Sequence, residues 1–231
     1  MDQKLDKFLT DVDLSFSDTS LLAQAFNHRS YVFEQNDSQG DNERLEFLGD
    51  AVIGFCVTEK LYRLYPDYNE GELSILKSYL VSKRFLAKIG SEINMGDYLK
   101  LGVGEEKSGG RRSVSLLGDV VEAVVGAIFL DGGYEKADRF IWGLIEPKLK
   151  IVEQTVLEQN HKHLLQVYTQ KKYGQIPVYK LKNKTGPSHK RKYTMQVFVD
   201  DRVFGTGIGT NKKSAGAKAA LEALKSLGEL D

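Results

Sequence analysis

The first 156 residues carry apolar side chains at the three- and four-residue spacing of amphipathic helices. Residues 102–113 interrupt this pattern with glycines and charges, which predicts a loop. The pattern shows no alternation of the kind typical of strands, so an all-α domain is predicted. The predicted helices are a short one after Ser17 or Asp18, one over residues 42 to about 64, one from Glu70, one over 114–131 that ends at Gly132-Gly133, and one from Tyr134 to about Val156.

The hydrophobic period changes in the last third of the chain. Residues 160–173 again have the helical spacing, and Gly174 is expected to stop that helix. Alternating apolar residues between Tyr193 and Val199 then predict a half-buried strand, followed by a turn at Asp200-Asp201. The remaining predicted elements are a short strand over Pro177–Lys182, a return strand that begins over Arg202–Thr206, and an alanine-rich helix over Lys212–Leu227. The order α-β-β-β-α predicts a small α+β domain.

The boundary between the two predicted domains is polar and lacks proline and glycine. We place the domains at residues 1–153 and 159–229, and residues 152–160 are either a short flexible linker or the tail of a helix. Charge separates the two parts, although the formal net charge of the 231 residues is zero. Residues 157–231 carry a balance of +8 and residues 1–156 a balance of −8. This asymmetry is typical of a metal-using module joined to a polyanion-binding module, and solubilising surface lysines are the alternative.

Composition excludes several classes of protein. Cys56 is the single cysteine, which excludes a disulfide framework and a cysteine-based zinc site. No apolar run approaches 18 residues, so a membrane span is not expected. The first ten residues lack the apolar stretch of a secretory signal, and a cytoplasmic protein is therefore expected.

Two groups of acidic residues are the strongest chemical signal. The run N-E-R-L-E-F-L-G-D-A-V at 42–52 places Glu43, Glu46 and Asp50 along one stripe of a helix. Asp119 and Glu122 lie three apart in an otherwise apolar helix, where an unpaired carboxylate is unfavourable. If both groups face one cleft, their oxygens would suit Mg²⁺. For Glu43 and Glu46 taken alone, a solvated helix face is the more usual explanation, whereas the apolar flanks of Asp119 and Glu122 argue against it.

The same residues carry a resemblance to a known family. The runs N-E-R-L-E-F-L-G-D, G-E-E-K-S-G-G-R and G-A-I-F-L-D-G-G resemble, in order and spacing, the motifs of the ribonuclease III family. The C-terminal segment resembles a double-stranded-RNA-binding domain. The resemblance implies an all-α endonuclease and dimerisation domain followed by an α-β-β-β-α domain, in a Mg²⁺-dependent homodimer in which Mn²⁺ can substitute. It also implies cleavage of both strands of duplex RNA, with 5′-phosphate and 3′-hydroxyl ends, short 3′ overhangs and a task in ribosomal and messenger RNA processing.

The resemblance assigns roles to four carboxylates. It implies that Glu46, Asp119 and Glu122 are metal ligands and that Asp50 and Glu122 are the catalytic pair. Asp50 would act either through bound water or as a direct base. Two ions about 3.5–4 Å apart could activate water and absorb charge on the leaving oxygen.

Neighbouring residues match further family positions. Glu43 and Glu70 are candidate accessory acidic residues near the cleft and the dimer interface. Glu43 could instead pair with a basic residue, and a structural role for Glu70 is as well supported as a functional one. Phe47 and Leu48 are expected on a helix face opposite the ligands, either at the dimer interface or in the core. Gly49 is expected to permit the close approach of another group.

The glycine-rich run at 102–112 is not a nucleotide-binding loop. It lacks the G-K-[ST] ending and follows no strand, so no nucleotide cofactor is expected. Lys107, Arg111 and Arg112 are either phosphate contacts or part of a solvated loop.

Duplex RNA is recognised by its shape across two minor grooves, which requires contact regions on one protein face. The residues that match those regions are His163, Gln166, Gln170, His189, Lys212 and Lys213. Lys212 and Lys213 begin a predicted helix, whose N-terminus also favours phosphate. His163, Val167 and Gly216 depart from the family pattern, in which position 216 holds a longer and often charged residue. Rival functions are a non-catalytic RNA binder, against which the four intact carboxylates argue, and a DNA nuclease, against which 2′-hydroxyl recognition argues.

Overall fold

A computed structural model describes residues 3–35, 39–187 and 190–229, which form two compact units, Met1–Lys150 and Ile151–Asp231. The first unit is helical, which confirms the predicted all-α class. Among the described residues, no helix has both the length and the apolar character required to cross a membrane. The helices are α1 (Gln3–Asp11), α2 (Thr19–Ala25), α3 (Arg29–Gln35), α4 (Glu43–Leu64), α5 (Glu70–Leu80), α6 (Lys83–Glu92), α7 (Val103–Lys107) and α8 (Val114–Tyr173).

Side-chain caps begin several of these helices where the sequence supplies an oxygen. Asp18 accepts a hydrogen bond from the backbone N–H of Ser20 at 2.9 Å, so α2 begins after the predicted residue. Asn69 and Glu72 form a reciprocal capping box at the start of α5. Ser82 caps α6 and thereby fixes the position of the residue that follows it.

The core of the first unit surrounds α8. Residues 120–128 of this helix are buried on every side, including Val121 and Val125 at 0% exposure. A smaller aromatic cluster of Phe8, Phe26 and Tyr98 packs at one end, with ring centroids 5.1–5.7 Å apart. Glu122 is the only charged residue among residues 120–128, and it therefore lies in a stretch of α8 that has no exposed face.

Two sequence-based expectations about elements are wrong. The segment 102–113 is not simply a loop, because it contains α7 and a 3₁₀ turn over Gly110–Arg112. The helix expected to end at about Val156 instead continues to Tyr173, because residues 152–160 contain no glycine or proline to stop it. The break expected at Gly132-Gly133 is confirmed, since Gly133 has φ 76° and ψ −170° inside the α8 range.

The second unit contains the last part of α8, a three-stranded antiparallel sheet and a further helix. Its elements are β1 (Val178–Thr185), β2 (Lys192–Val199), β3 (Arg202–Gly209) and α9 (Lys212–Ser226), with strand order β1-β2-β3. The turn between β2 and β3 is confirmed at Asp200 and Asp201, which both have positive φ, as a tight hairpin turn requires. Met195, Val197 and Val199 are buried, as their alternation predicted. The α-β-β-β-α order is thereby confirmed.

Glycines in β3 set the distance between the sheet and α9. A Cβ atom at Gly207 would lie 2.2 Å from the carbonyl oxygen of Ala215, and one at Gly205 would lie 2.2 Å from that of Ala219. The buried face of α9 correspondingly consists mainly of alanines. Small residues on both sides allow the helix backbone to rest directly on the strand.

Candidate functional site

A crossing of α4 and α8 brings the two acidic segments together. A Cβ atom at Gly49 would lie 1.8 Å from the carbonyl oxygen of Glu122, and one at Gly126 would lie 2.3 Å from that of Leu45. The two helices therefore touch backbone to backbone, and glycine is required at both positions. The close approach expected at Gly49 is that of the Glu122 backbone.

Carboxylates from both helices converge beside this crossing. One oxygen each from Glu46, Asp119 and Glu122 lies within 4.8 Å of the others. The side chains of Glu46 and Asp119 are 26% and 17% exposed, and Glu122 is buried at 3% exposure. Asp50 is exposed and lines the same cleft. The structure thus brings together all four carboxylates that the sequence singled out.

Burial and mutual repulsion determine the protonation of this group. Burial raises the pKa of Glu122 to about 7; the ammonium of Lys83 opposes this rise, and the nearby Asp50 and Glu46 add to it. Burial also raises the pKa of Glu46, and the charge of Asp119 adds to that rise. The cluster is electrostatically unfavourable without a compensating cation.

Lys83 supplies such a cation from the first residue of α6. Its ammonium donates to Glu46 Oε1 at 3.2 Å and also to Asp119 Oδ1. The hydrogen bond to Asp119 is the largest cause of the raised pKa of Lys83. Sequence reasoning missed this residue, because it is 37 and 36 positions from its partners and no local pattern marks it.

The donor set fits a hard divalent cation. Three carboxylate oxygens within 4.8 Å of one another, from Glu46, Asp119 and Glu122, match the all-oxygen preference of Mg²⁺. Asp50, which is exposed, lines the same cleft and does not belong to this group of three. No other group of three or more metal-ligating side chains with this geometry occurs in the described residues.

The accessory acidic residues have separate environments. Glu43 lies at the rim of the cleft and pairs with Arg29 at 3.4 Å, as the alternative for this residue anticipated. Among the described residues, Glu70 belongs to no group of side chains that could ligate a metal ion. It lies in the first turn of α5, accepts a hydrogen bond from Ser74 Oγ at 2.6 Å and is absent from the cleft lining.

The expected position of Phe47 opposite the ligands is wrong. Phe47 follows Glu43 by four residues and precedes Asp50 by three, so the three side chains share a helix face. Phe47 accordingly lines the acidic cleft, and it is 82% exposed. Leu48 is partly buried.

Arg111 is a structural residue of the glycine-rich segment. Its guanidinium donates to the carbonyl oxygens of Gly96 at 2.9 Å and Leu99 at 2.7 Å. It also pairs with Glu106 at 2.6 Å, and this hydrogen bonding lowers the pKa of the Glu106 carboxyl. These contacts account for its donors, so Arg111 does not match the expectation of a phosphate contact or a solvated side chain.

The predicted RNA contacts of the second unit lie on two neighbouring helices. His163, Gln166 and Gln170 are exposed along one side of the last part of α8. Lys212 and Lys213 are exposed in the first turn of α9, where Asn211 caps the helix by accepting from Ser214 N–H at 2.8 Å. His189 lies outside the described residues. The two helices share one core, which contains Leu165, Val197, Ala219, Ala220, Ala223 and Leu224.

The departure at Gly216 has a counterpart in the structure. A Cβ atom at Gly216 would lie 3.1 Å from the ammonium nitrogen of Lys162, which also lies over the ring of Tyr179 at 5.2 Å from its centroid. Burial lowers the pKa of Lys162, and the positive charge of Lys213 contributes to the decrease. The ammonium group of Lys162 thus occupies the space directly beside Gly216.

Comparison with known proteins agrees with both units. The family model described as Ribonuclease-III-like matches residues 18–149, more than half of the chain, and the model described as Double-stranded RNA binding motif matches residues 161–227. The chain belongs to the ribonuclease III family. The family resemblance read from the sequence is confirmed.

Relatives of this ribonuclease III chain match it over most of their length. The Ribonuclease 3 of Borreliella burgdorferi is 42% identical over 224 residues, covering 97% of this chain and 91% of the relative. The Ribonuclease 3 of Syntrophotalea carbinolica is 42% identical over 219 residues, covering 94% of each chain. The solved nuclease domain of ribonuclease III from Campylobacter jejuni is 38% identical with a TM-score of 0.58, covering 62% of this chain and 96% of that domain.

Proposed function

We propose that this ribonuclease III chain uses Mg²⁺ to hydrolyse both strands of duplex RNA, leaving 5′-phosphate and 3′-hydroxyl ends with short 3′ overhangs. The observation that carries the proposal is the convergence of Glu46, Asp119 and Glu122 within 4.8 Å beside an open cleft. Mn²⁺, which has the same preference for oxygen ligands, is expected to substitute.

Glu46, Asp119 and Glu122 would hold the metal. When bound, a divalent ion supplies a nucleophile from water at neutral pH and neutralises charge on the phosphate. Asp50 is exposed and lines the cleft, so its carboxylate is accessible to orient the attacking water or to accept its proton. The backbone contact at Gly49 keeps these groups in place without relying on flexible side chains.

The second unit supplies affinity for the duplex. Lys212 and Lys213 combine their charges with the free N–H groups of the α9 N-terminus, which attract phosphate. His163, Gln166 and Gln170 offer donors and acceptors for a minor groove. Both sets of side chains are exposed, so they can contact a nucleic acid without rearrangement of the core.

We further propose a cytoplasmic homodimer that processes ribosomal and messenger RNA precursors. Large apolar side chains are exposed along α4, including Phe47 at 82%, Phe55 at 59% and Tyr62 at 74%. Exposed aromatic residues of this kind are typical of protein interfaces. Sedimentation equilibrium should give a dimer, and Phe47→Asp should shift it towards monomer.

One incubation tests the catalytic proposal. A duplex RNA longer than the roughly 16 base pairs that one binding domain spans is mixed with the protein in EDTA, Mg²⁺ or Mn²⁺. We expect cleavage of both strands only with metal, and none of single-stranded RNA or duplex DNA. Binding without cleavage in either metal would instead identify a non-catalytic RNA binder.

A further inference from the structure

Lys83 occupies a position between the carboxylates of two other helices. Its ammonium nitrogen lies 3.2 Å from Glu46 Oε1 and forms a second ion pair with Asp119. Glu46 and Asp119 belong to the same three-carboxylate cluster whose oxygens lie within 4.8 Å of one another. The ammonium group therefore interacts with the oxygens that are best placed to ligate a metal ion.

The backbone around Lys83 is fixed, whereas its side chain is not. Ser82 caps the helix that Lys83 begins, and its hydroxyl donates to the carbonyl oxygen of Tyr79 at 2.7 Å. A Cβ atom at Gly118 would lie 3.1 Å from the carbonyl oxygen of Lys83, so α6 packs directly against the residue that precedes Asp119. The side chain of Lys83 is 51% exposed. Its four-carbon stem can therefore move into solvent without disrupting the core.

The contacts of Lys83 reduce the repulsion between the carboxylates of the cluster. Three carboxylates so close together repel one another, and one ammonium group offsets part of that repulsion. A divalent cation at the same oxygens would offset more of it, but it would also be repelled by the ammonium at short range. The ammonium group and the metal ion therefore compete for the carboxylate oxygens of Glu46 and Asp119.

We infer that Lys83 is a built-in counter-ion of the acidic cluster, which a divalent cation must displace, and that Lys83 therefore sets the metal concentration at which the site fills. This inference rests on the proposed function for the presence of a metal. It goes beyond that function because it assigns a metal-affinity role to a residue that is not itself a ligand. In the metal-free protein Lys83 stabilises the cluster, and in the metal-bound protein its side chain turns towards solvent.

Replacement of the charge tests the inference through metal binding rather than activity. Lys83→Gln should bind Mn²⁺, followed by the paramagnetic resonance of the free ion, about tenfold more tightly than the unsubstituted protein, since a repelling charge near the site is removed. Lys83→Arg keeps the charge and should bind close to the unsubstituted affinity. Lys88→Gln removes an exposed lysine from the same helix and serves as the matched control.

The outcomes separate this inference from the proposed function. Equal or weaker Mn²⁺ binding by Lys83→Gln, with binding intact in the unsubstituted protein, would overturn the counter-ion role alone. Absence of Mn²⁺ binding in every variant would overturn both the role and the metal-dependent function.

A second measurement uses the unsubstituted protein and does not depend on the variant folding. Acetic anhydride modifies exposed amines, and peptide mass spectrometry can compare the modification of Lys83 with that of Lys88. Added Mg²⁺ should increase the modification of Lys83 severalfold and leave that of Lys88 unchanged. A modification of Lys83 that stays constant or falls in Mg²⁺ would contradict displacement.

Discussion

The acidic cleft and the basic surface carry opposite charges in opposite environments, because the cleft holds a buried carboxylate and the basic surface holds exposed lysines. Glu122 is buried at 3% exposure among apolar residues, and its neighbours share its charge. Lys212 and Lys213 are exposed at a helix start, where water already stabilises their charge. Bringing the carboxylates of the cleft together costs free energy, so closely packed helices must hold them in place. The basic surface needs only an exposed helix end.

This difference determines how each site should respond to change. A buried carboxylate affects the pKa values, the stability and the geometry of everything around it. An exposed lysine contributes to affinity through long-range attraction that salt can screen. Substitutions in the cleft should therefore have large and coupled effects, and substitutions on the basic surface should have small and nearly additive effects.

The largest effect is expected from Glu122→Gln. This change keeps the shape of the side chain and removes a negative charge from the metal cluster. Cleavage of duplex RNA in saturating Mg²⁺ should fall by about 10³-fold or more, equal to about 4 kcal/mol of activation free energy. Duplex binding in Ca²⁺, measured by gel shift, should be unchanged, and near-normal turnover would remove Glu122 from the catalytic assignment.

The next effect tests the frame rather than the charge. Gly49→Ala adds a Cβ atom 1.8 Å from the carbonyl oxygen of Glu122, so the helices must separate. We expect a loss of about 3 kcal/mol in the free energy of unfolding, measured in urea, together with weaker Mn²⁺ binding. Gly54→Ala is the matched control, because a Cβ there meets nothing within 4 Å, and it should stabilise α4 by up to about 1 kcal/mol. Equal behaviour of the two variants would argue against the backbone contact.

The pH dependence of stability gives a smaller but distinctive signal. Burial raises the pKa of Glu122 to about 7 in the folded protein from its ordinary value of 4.5, so the folded state binds more protons than the unfolded state between these values. The contribution of Glu122 to stability is therefore fully present below pH 4.5 and is lost as the pH rises through 7. In EDTA, unfolding at pH 8 compared with pH 5 should show a loss of about 2 kcal/mol that Glu122→Gln does not show. Parallel stability curves for the two proteins would contradict the raised pKa.

The smallest effect is expected on the basic surface. Lys212→Ala combined with Lys213→Ala should weaken binding to all duplexes by roughly tenfold at physiological salt, and the salt slope should fall by about 0.9 per lost contact. Lys171→Ala combined with Lys172→Ala removes the same charge from the C-terminal end of α8, where the helix end disfavours phosphate. If the two double variants bind alike, then only net charge matters and the α9 start is not a specific contact. Cleavage of saturated substrate should be normal in both.

Local patterns in the sequence predicted most of the fold and singled out the four carboxylates that the structure brings together in one cleft. Helical spacing, the cap at Asp18 and the break at Gly133 act within a few residues, so they can be read directly from the chain. The pair Asp119 and Glu122 was conspicuous because charged residues are rare in apolar helices. The sequence left residues 152–160 open between a flexible linker and the tail of a helix, because a polar run without glycine or proline suits both equally well, and the structure shows the helix.

The features that the sequence could not supply are long-range contacts. Lys83 is 37 residues from Glu46, and the two residues come together only in the tertiary fold, in which α6 packs against Gly118. The sequence marked Gly49 as a close-approach position, but its partner at Glu122 follows from the tertiary fold. The placement of Phe47 is a different kind of error, because its spacing from Glu43 and Asp50 already indicated a shared face.

The glycine crossing of α4 and α8 also bears on protein design. Transplanting Glu46, Asp119 and Glu122 onto another pair of helices would copy the ligands and omit what sets their separation. Ordinary helix pairs pack with axes 8–10 Å apart, because side chains fill the space between them. A recipient scaffold would need glycine at the positions equivalent to Gly49 and Gly126 to recover the backbone contact. The smallest transferable description of this site therefore includes two residues that have no side chain at all.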